Sequence, residues 1–313
     1  MSYTTGLHEV GDGLYAYLQP DGSWGWSNAG LITDGECTLL VDTLYDLHLT
    51  DQMLKQMRDA VPAAATIDTL VNTHANGDHC YGNQLVQGAR ILASERTAQE
   101  MPELPPAAMA ALVEQAPNMG ELGEFFLRCF GAFDFTGIDL AMPDETFSGE
   151  MTIRVGDRRV DLFEVGPAHT RGDTLIHLPG ERVLFSGDIL FSGAHPIAWA
   201  GPVSNWIAAC DRILALDVDV IVPGHGPVAG PDAVHEERAY FQYLYAETRT
   251  LHARGMDVMQ ATRALNMDRW AGWGERERLI VNVANIYGEL NGDTEPINAL
   301  TAFQQMAELA REG

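Results

Sequence analysis

The chain has 313 residues, 46% of them hydrophobic, and its 19 Lys and Arg face 44 Asp and Glu for a formal charge of −25. Length and apolar content are enough to bury a sizeable core in one large domain or two smaller ones, which excludes disorder as the main state. The negative charge repels nucleic-acid phosphates and anionic bilayers, so neither nucleic acid nor membrane is expected as a partner.

Residues 1–20 hold no cationic stretch followed by an apolar one, and no apolar run approaches the roughly 18 to 20 residues that span a bilayer, so a cytoplasmic location is expected. Next comes a glycine-bounded loop with Trp24 and Trp26, which reads equally well as a pocket wall and as a hairpin packed on a sheet. From about residue 30 to 230 the chain alternates short β-branched or aromatic runs with turn residues. Strands are expected at 38–42, 69–72, 160–165, 174–178, 183–186 and 218–222, with Pro179-Gly180 as a hairpin turn. Helices are expected at 47–60 and 204–216, where apolar residues recur at helical spacing. Strands mixed with helices point to a layered α/β architecture.

Two segments depart from this pattern. Residues 93–141 are rich in Ala, Met, Leu and Phe and are broken by Pro102, Pro105 and Pro106, which reads as a helical insertion. After residue 230 helices are expected at 235–254, 257–265, 276–289 and 297–310. The division is therefore an α/β body over 1–230 and a helical C-terminal extension over 231–313 packed on it or forming the face of a homodimer. Cys37, Cys80, Cys129 and Cys210 stand far apart, so neither a disulfide framework nor a cysteine zinc site is indicated.

The chemistry concentrates at strand ends. Thr73-His74-Ala75-Asn76-Gly77-Asp78-His79 places two imidazoles and a carboxylate within six residues after an apolar run, a donor set suited to a borderline divalent cation such as zinc. His169, Asp188 and His225 stand in comparable strand-end loops rich in Gly and Pro, which permit tight turns. A cation with an open position lowers the pKa of its water towards about 7 and polarises a carbonyl, so no serine triad is needed.

The order and context of these motifs resemble the metallo-β-lactamase-fold superfamily, with its His-x-His-x-Asp-His motif followed by a later His, a bridging Asp and a final His. The resemblance spans roughly residues 30–227. It implies a four-layer αββα sandwich with the metals at one edge, a first metal site with His74 and His169, a second with Asp78, His79 and His225, and Asp188 between them. It also implies that Asp78 orients the nucleophile and that Asp78 and Asp188 are the catalytic carboxylates. Asn76 stands where the family has its second histidine, and an amide oxygen is a weaker zinc ligand than imidazole. Three arrangements follow: two ions with Asn76 as a weak or water-mediated ligand, one ion in the second site, or a first site filled only with substrate.

The expected function is a metal-dependent hydrolase, using metal-bound hydroxide on a small-molecule ester, thioester, lactone or related acyl substrate. Zinc is the expected metal, as one or two ions, with iron or manganese as substitutes. The alternatives on the same fold are a metal-dependent oxidoreductase, a polyketide cyclase or thioesterase-type enzyme, and an inactive binding protein. Tyr81, His195, Trp24 and Trp26 are candidates for the substrate pocket. The insertion is expected either to cover the metal edge or to be plain core.

Overall fold

The computed structural model describes residues 4–19, 22–293 and 297–312. Seven strands form one mixed sheet in chain order: β1 (Gly6–Gly11), β2 (Leu14–Leu18), β3 (Ala29–Asp34), β4 (Cys37–Val41), β5 (Thr69–Val71), β6 (Arg90–Ser94) and β7 (Glu145–Phe147). Strands β1 to β4 pair antiparallel and β4 to β7 parallel. The second sheet holds β8 (Glu150–Val155), β9 (Arg158–Glu164), β10 (Thr174–Leu178), β11 (Val183–Phe191) and β12 (Val220–His225), antiparallel except for the β11–β12 edge pair.

Period-two alternation assigns each strand's two faces to different layers. Ile32, Leu39 and Val41 of the first sheet meet Ile176, Val183 and Phe185 of the second in one buried cluster. Their neighbours Leu31 and Leu40 point the other way, onto Met53, Leu54 and Met57 of α1 (Leu47–Ala60). The Asp46 carboxylate caps that helix by accepting from the Leu49 amide at 2.7 Å, worth about 1 kcal/mol. On the second sheet, Leu175, Leu184 and Ile221 face outward into the cluster containing Trp206. The four layers αββα follow from this division. The sheets touch closely at Gly30, where any side chain would overlap the Phe185 ring.

The remaining helices are α2 (Gly77–Cys80), α3 (Glu95–Glu100), α4 (Pro106–Gln115), α5 (Gly120–Phe130), α6 (Val203–Leu214), α7 (Pro231–Ala253), α8 (Val258–Ala264), α9 (Leu279–Asn291) and α10 (Ala299–Ala310). Helices α3 to α5 fall in the segment read above as an insertion and α7 to α10 in that read as an extension. Both join one buried cluster with the outer face of the second sheet: Phe125 and Phe126 of α5, Trp206 of α6, Phe241 of α7, Ile280 of α9 and Met306 of α10 all belong to it. Among the described residues no helix is long and apolar enough to cross a membrane.

Some expected boundaries move. The strand expected at 183–186 runs on to Phe191, so Asp188 stands inside β11 and not in a loop after it. Its pairing with β12 is irregular on both sides of Gly187. Asp78 and His79 lie on the one-turn helix α2. The Pro179-Gly180 hairpin forms as expected, with Leu178 opposite Val183.

Candidate metal centre

The cluster is built where parallel strands of both sheets end at a common edge. Strand β5 delivers Thr73 and His74, α2 delivers Asp78 and His79, the loop between β9 and β10 delivers His169, and β11 and β12 deliver Asp188 and His225. All six predicted donors other than Asn76 are buried and converge in two triads, His74 with His169 and Asp188, and Asp78 with His79 and His225. Within each triad the donor atoms lie within 4.8 Å of one another. Asp188 ties the triads together, its Oδ2 at 3.3 Å from His169 Nε2 and 3.5 Å from His225 Nε2, and its Oδ1 at 3.1 Å from His79 Nε2. Gly224 leaves room for it, because a Cβ there would overlap Asp188 Oδ1.

Hydrogen bonds behind the rings set the tautomers. His169 Nδ1 donates to Ile197 O at 2.7 Å, His225 Nδ1 to Gly22 O at 3.1 Å, and His79 Nδ1 to Asp42 Oδ2 at 3.0 Å. Thr73 Oγ1 donates to Asp42 Oδ2 at 2.7 Å, so it accepts from His74 Nδ1 at 2.9 Å. Each Nδ1 is therefore engaged behind its ring, and every Nε2 is directed at the shared centre. His74 Nε2 is buried without a hydrogen-bond partner, and His79 Nε2 and Asp188 Oδ1, 3.1 Å apart, have none beyond each other. Buried polar atoms left this poorly satisfied are costly unless something fills the space between them, and imidazole and carboxylate donors at this spacing fit one or two divalent cations.

The electrostatics agree. Burial lowers the pKa of His74 well below its ordinary value, with the neighbouring His79 adding to it, and burial also lowers that of His169. Burial works against charge on His225 too, but Asp188 and Asp78 outweigh it and push that ring up to about 9. The same carboxylates raise His79 well above its usual range against burial. Burial disfavours charge on Asp188 as well, yet the surrounding rings, His225 first, hold it well below the carboxylate range. Positive charge is what the centre demands.

Asn76 stands beside this cluster, its Nδ2 at 3.0 Å from His169 Nε2. The amide thus addresses the same lone pair that a first-site cation would use. Asp42 is the orienting residue that sequence reasoning missed. Its Oδ1 accepts from the Thr73 amide at 2.7 Å while its Oδ2 accepts from Thr73 Oγ1 and His79, and it sits in the left-handed region at φ 61°. Its place at the end of an expected strand was visible; its contacts across to β5 and α2 were not.

The cluster forms the floor of a cavity of about 470 Å³. Asn76, Asp78, His169, Asp188 and His225 line the floor, and Met109, Leu112, Leu122, Phe126 and Phe130 of the insertion form a wall with Trp24 and Phe303. The insertion is therefore both core and cover. Of the four expected pocket residues only Trp24 lines this space. Trp26 packs on Phe133, with ring centroids 4.8 Å apart. Tyr81 turns away, its hydroxyl donating to Leu104 O at 2.6 Å. His195 is buried and hydrogen-bonded through Nδ1 to the Tyr240 hydroxyl at 3.1 Å. Each of these two spends its polar atom on the protein instead of on the cavity.

Comparison with known proteins places this geometry. The human acyl-coenzyme A thioesterase MBLAC2 is 26% identical over 235 residues, covering 69% of this chain and 79% of its own. The 2,4-dinitroanisole O-demethylase subunit alpha of Nocardioides sp. (strain JS1661) is 24% identical over 220 residues, covering 69% of this chain and 54% of its own, so this chain spans about half the length of that relative. The stereoselective inverting sec-alkylsulfatase Pisa1 from Pseudomonas sp. superimposes with a TM-score of 0.69 at 16% identity, over 94% of this chain and 52% of its own. A family profile, described as the metallo-beta-lactamase superfamily, matches residues 22–225. That span contains all six converging donors and both sheets' contributions to the edge, and the chain belongs to the metallo-beta-lactamase superfamily.

Proposed function

We propose that the protein is a metal-dependent hydrolase acting on a small-molecule ester or thioester with an apolar acyl chain. The observation that carries this reading is the position of the six-donor cluster at the floor of a largely apolar cavity of about 470 Å³, within the usual range for small-molecule sites. His74, His169 and Asp188 would hold one cation, and Asp78, His79, His225 and Asp188 the other. When bound, zinc supplies Lewis acidity and a water of lowered pKa.

The protein's own residues do the rest. Asp78 lines the cavity with its carboxylate 3.2 Å from His225 Nε2, and from there it would orient an incoming water and take up a proton from it. The apolar walls position the acyl chain and exclude bulk water from the reacting carbonyl. The thioesterase relative supports an acyl thioester as one substrate form. Four free cysteines suit a reducing compartment, and we assign the protein to the cytoplasm.

The test is a panel of acyl thioesters and aryl esters of graded chain length, with zinc-loaded protein and thiol or phenol release as the readout. Turnover should require metal and should be abolished in Asp188→Asn. Turnover that survives rigorous chelation overturns the proposal.

A further inference from the structure

We propose that Arg278 is an oxyanion anchor within the cavity, holding a carboxylate, sulfate or phosphate group carried by the same molecule whose apolar chain fills the remaining space. The inference deepens the hydrolase reading and rests on it for the statement that substrate enters this cavity.

Arg278 is 1% exposed and lines the cavity just before α9. Its guanidinium carbon lies 4.2 Å from the Trp24 ring centroid and 5.2 Å from that of Phe191. One of its nitrogens, Nη1, donates to His195 O at 3.0 Å, while Nε is buried with no partner. Among the described residues it forms no salt bridge, although the chain carries 44 Asp and Glu. Glu277 accepts from Trp24 Nε1 at 3.0 Å, and Glu100 and Glu103 at the cavity wall pair with Arg171.

A buried charge is normally paired, because desolvating it alone is expensive. Here two aromatic faces compensate part of that cost and fix the plane of the guanidinium, which leaves in-plane donors for a planar or tetrahedral oxyanion. Phe191 also links this anchor to the metal centre, since its ring stacks on that of His225 with centroids 5.2 Å apart and planes 8° apart. One ring thus separates the anion site from a metal-ligand histidine. In the same cavity Met109, Leu112, Leu122 and Phe303 offer a surface for an alkyl or acyl chain. The complementary ligand is an anionic amphiphile.

The experiment titrates the zinc-loaded full chain, by calorimetry and tryptophan fluorescence, with ten-carbon probes below their micellar concentrations: decanoate, decyl sulfate, decyl phosphate, decanol and decyltrimethylammonium. At least one anion should bind ten- to a hundredfold more tightly than decanol and the cation, as expected for a charge-assisted hydrogen-bonded pair. The tightest anion identifies the group. Arg278→Met should bring that anion down to the level of decanol with decanol unchanged, and Arg278→Lys should restore part of the difference. The anion preference should persist after zinc is chelated; its disappearance would assign the anion to the metal and overturn the proposal. Should Arg278→Met fail to fold, the headgroup comparison on chelated wild-type protein decides alone, and equal binding of decanol and all three anions refutes the anchor. Failure of the hydrolase reading shows separately, as absent turnover on the ester panel with these binding results intact.

Discussion

Asp42→Asn isolates the orienting role of the carboxylate behind the cluster. Asparagine tolerates the left-handed backbone at φ 61° better than most residues, and its Oδ1 can still accept from the Thr73 amide. What changes is Oδ2, which accepts from both Thr73 Oγ1 and His79 Nδ1; an amide nitrogen there would face two donors. His79 would then have to give up the tautomer that presents Nε2 to the centre, and His74 would lose its hold through Thr73. Partners of this kind are worth 10- to 100-fold in metal affinity, or about 1.4–2.7 kcal/mol. Competition for zinc against a chromophoric chelator measures the effect directly. A folded variant whose zinc affinity stays within twofold of wild type would refute the claim that Asp42 orients these ligands.

Zinc uptake should release protons at pH 7, because His225, with its pKa pushed up to about 9, and His79, also raised, carry protons that the cation displaces. Affinity should therefore rise with pH up to about 9, and calorimetry in buffers of different ionisation enthalpy would reveal the released protons; buffer-independent enthalpies would contradict this. His195 is pushed down to about 3 by burial first and by Arg278 and Arg276 next, so its folded pKa lies below the unfolded value and its contribution to stability is lost as pH falls below about 6.5. Between pH 7 and 4.5, His195→Gln should lose about 2–3 kcal/mol less unfolding free energy than wild type in denaturant titrations, and parallel curves would exclude the role. Trp206→Ala removes a fully buried ring that packs on Phe241 and donates to Ile189 O at 3.1 Å, and should cost about 3–5 kcal/mol by urea unfolding. A loss below about 1 kcal/mol would show that the site collapses around the gap.

The strands read from the sequence are largely buried on two faces, but that was not sufficient: β2, β3 and β6 are buried in the same way and, like β1, were not read. Strands β4, β5, β10 and β12 read as short apolar runs because each packs between a second sheet and a helical layer. Strand β8 escaped notice because it is a sheet edge whose exposed Glu150, Thr152 and Arg154 dilute the apolar signal, and β7 because it has three residues. The six converging donors were legible because each sits at or near the end of such a run, where a turn residue marks it. His195 and Tyr81 were not, since their pocket role depended on ring direction, which the hydrogen bonds to Tyr240 and Leu104 settle. Arg278 gave no local signal at all. Its meaning arises only when Trp24, some 250 residues earlier, comes to lie against it.

The donor cluster and much of the cavity wall are thus written in different parts of the chain. The family profile ends at residue 225, the last of the six clustered donors, while Arg278 and Phe303 of the cavity wall come from the helical segment beyond it. The insertion wall also meets the extension directly: Phe303 of α10 contacts Phe125, Phe126 and Phe130 of α5, with ring centroids 5.9 to 6.2 Å apart. Because these contacts are apolar and side-chain based, their residues can be exchanged for others of similar volume at small cost to stability, whereas the hydrogen-bonded ring orientations of the centre cannot. Two chains of this family can therefore share the six donors and still admit different ligands, and the residues that discriminate between them are to be sought in α4, α5, α10 and the turn carrying Arg278.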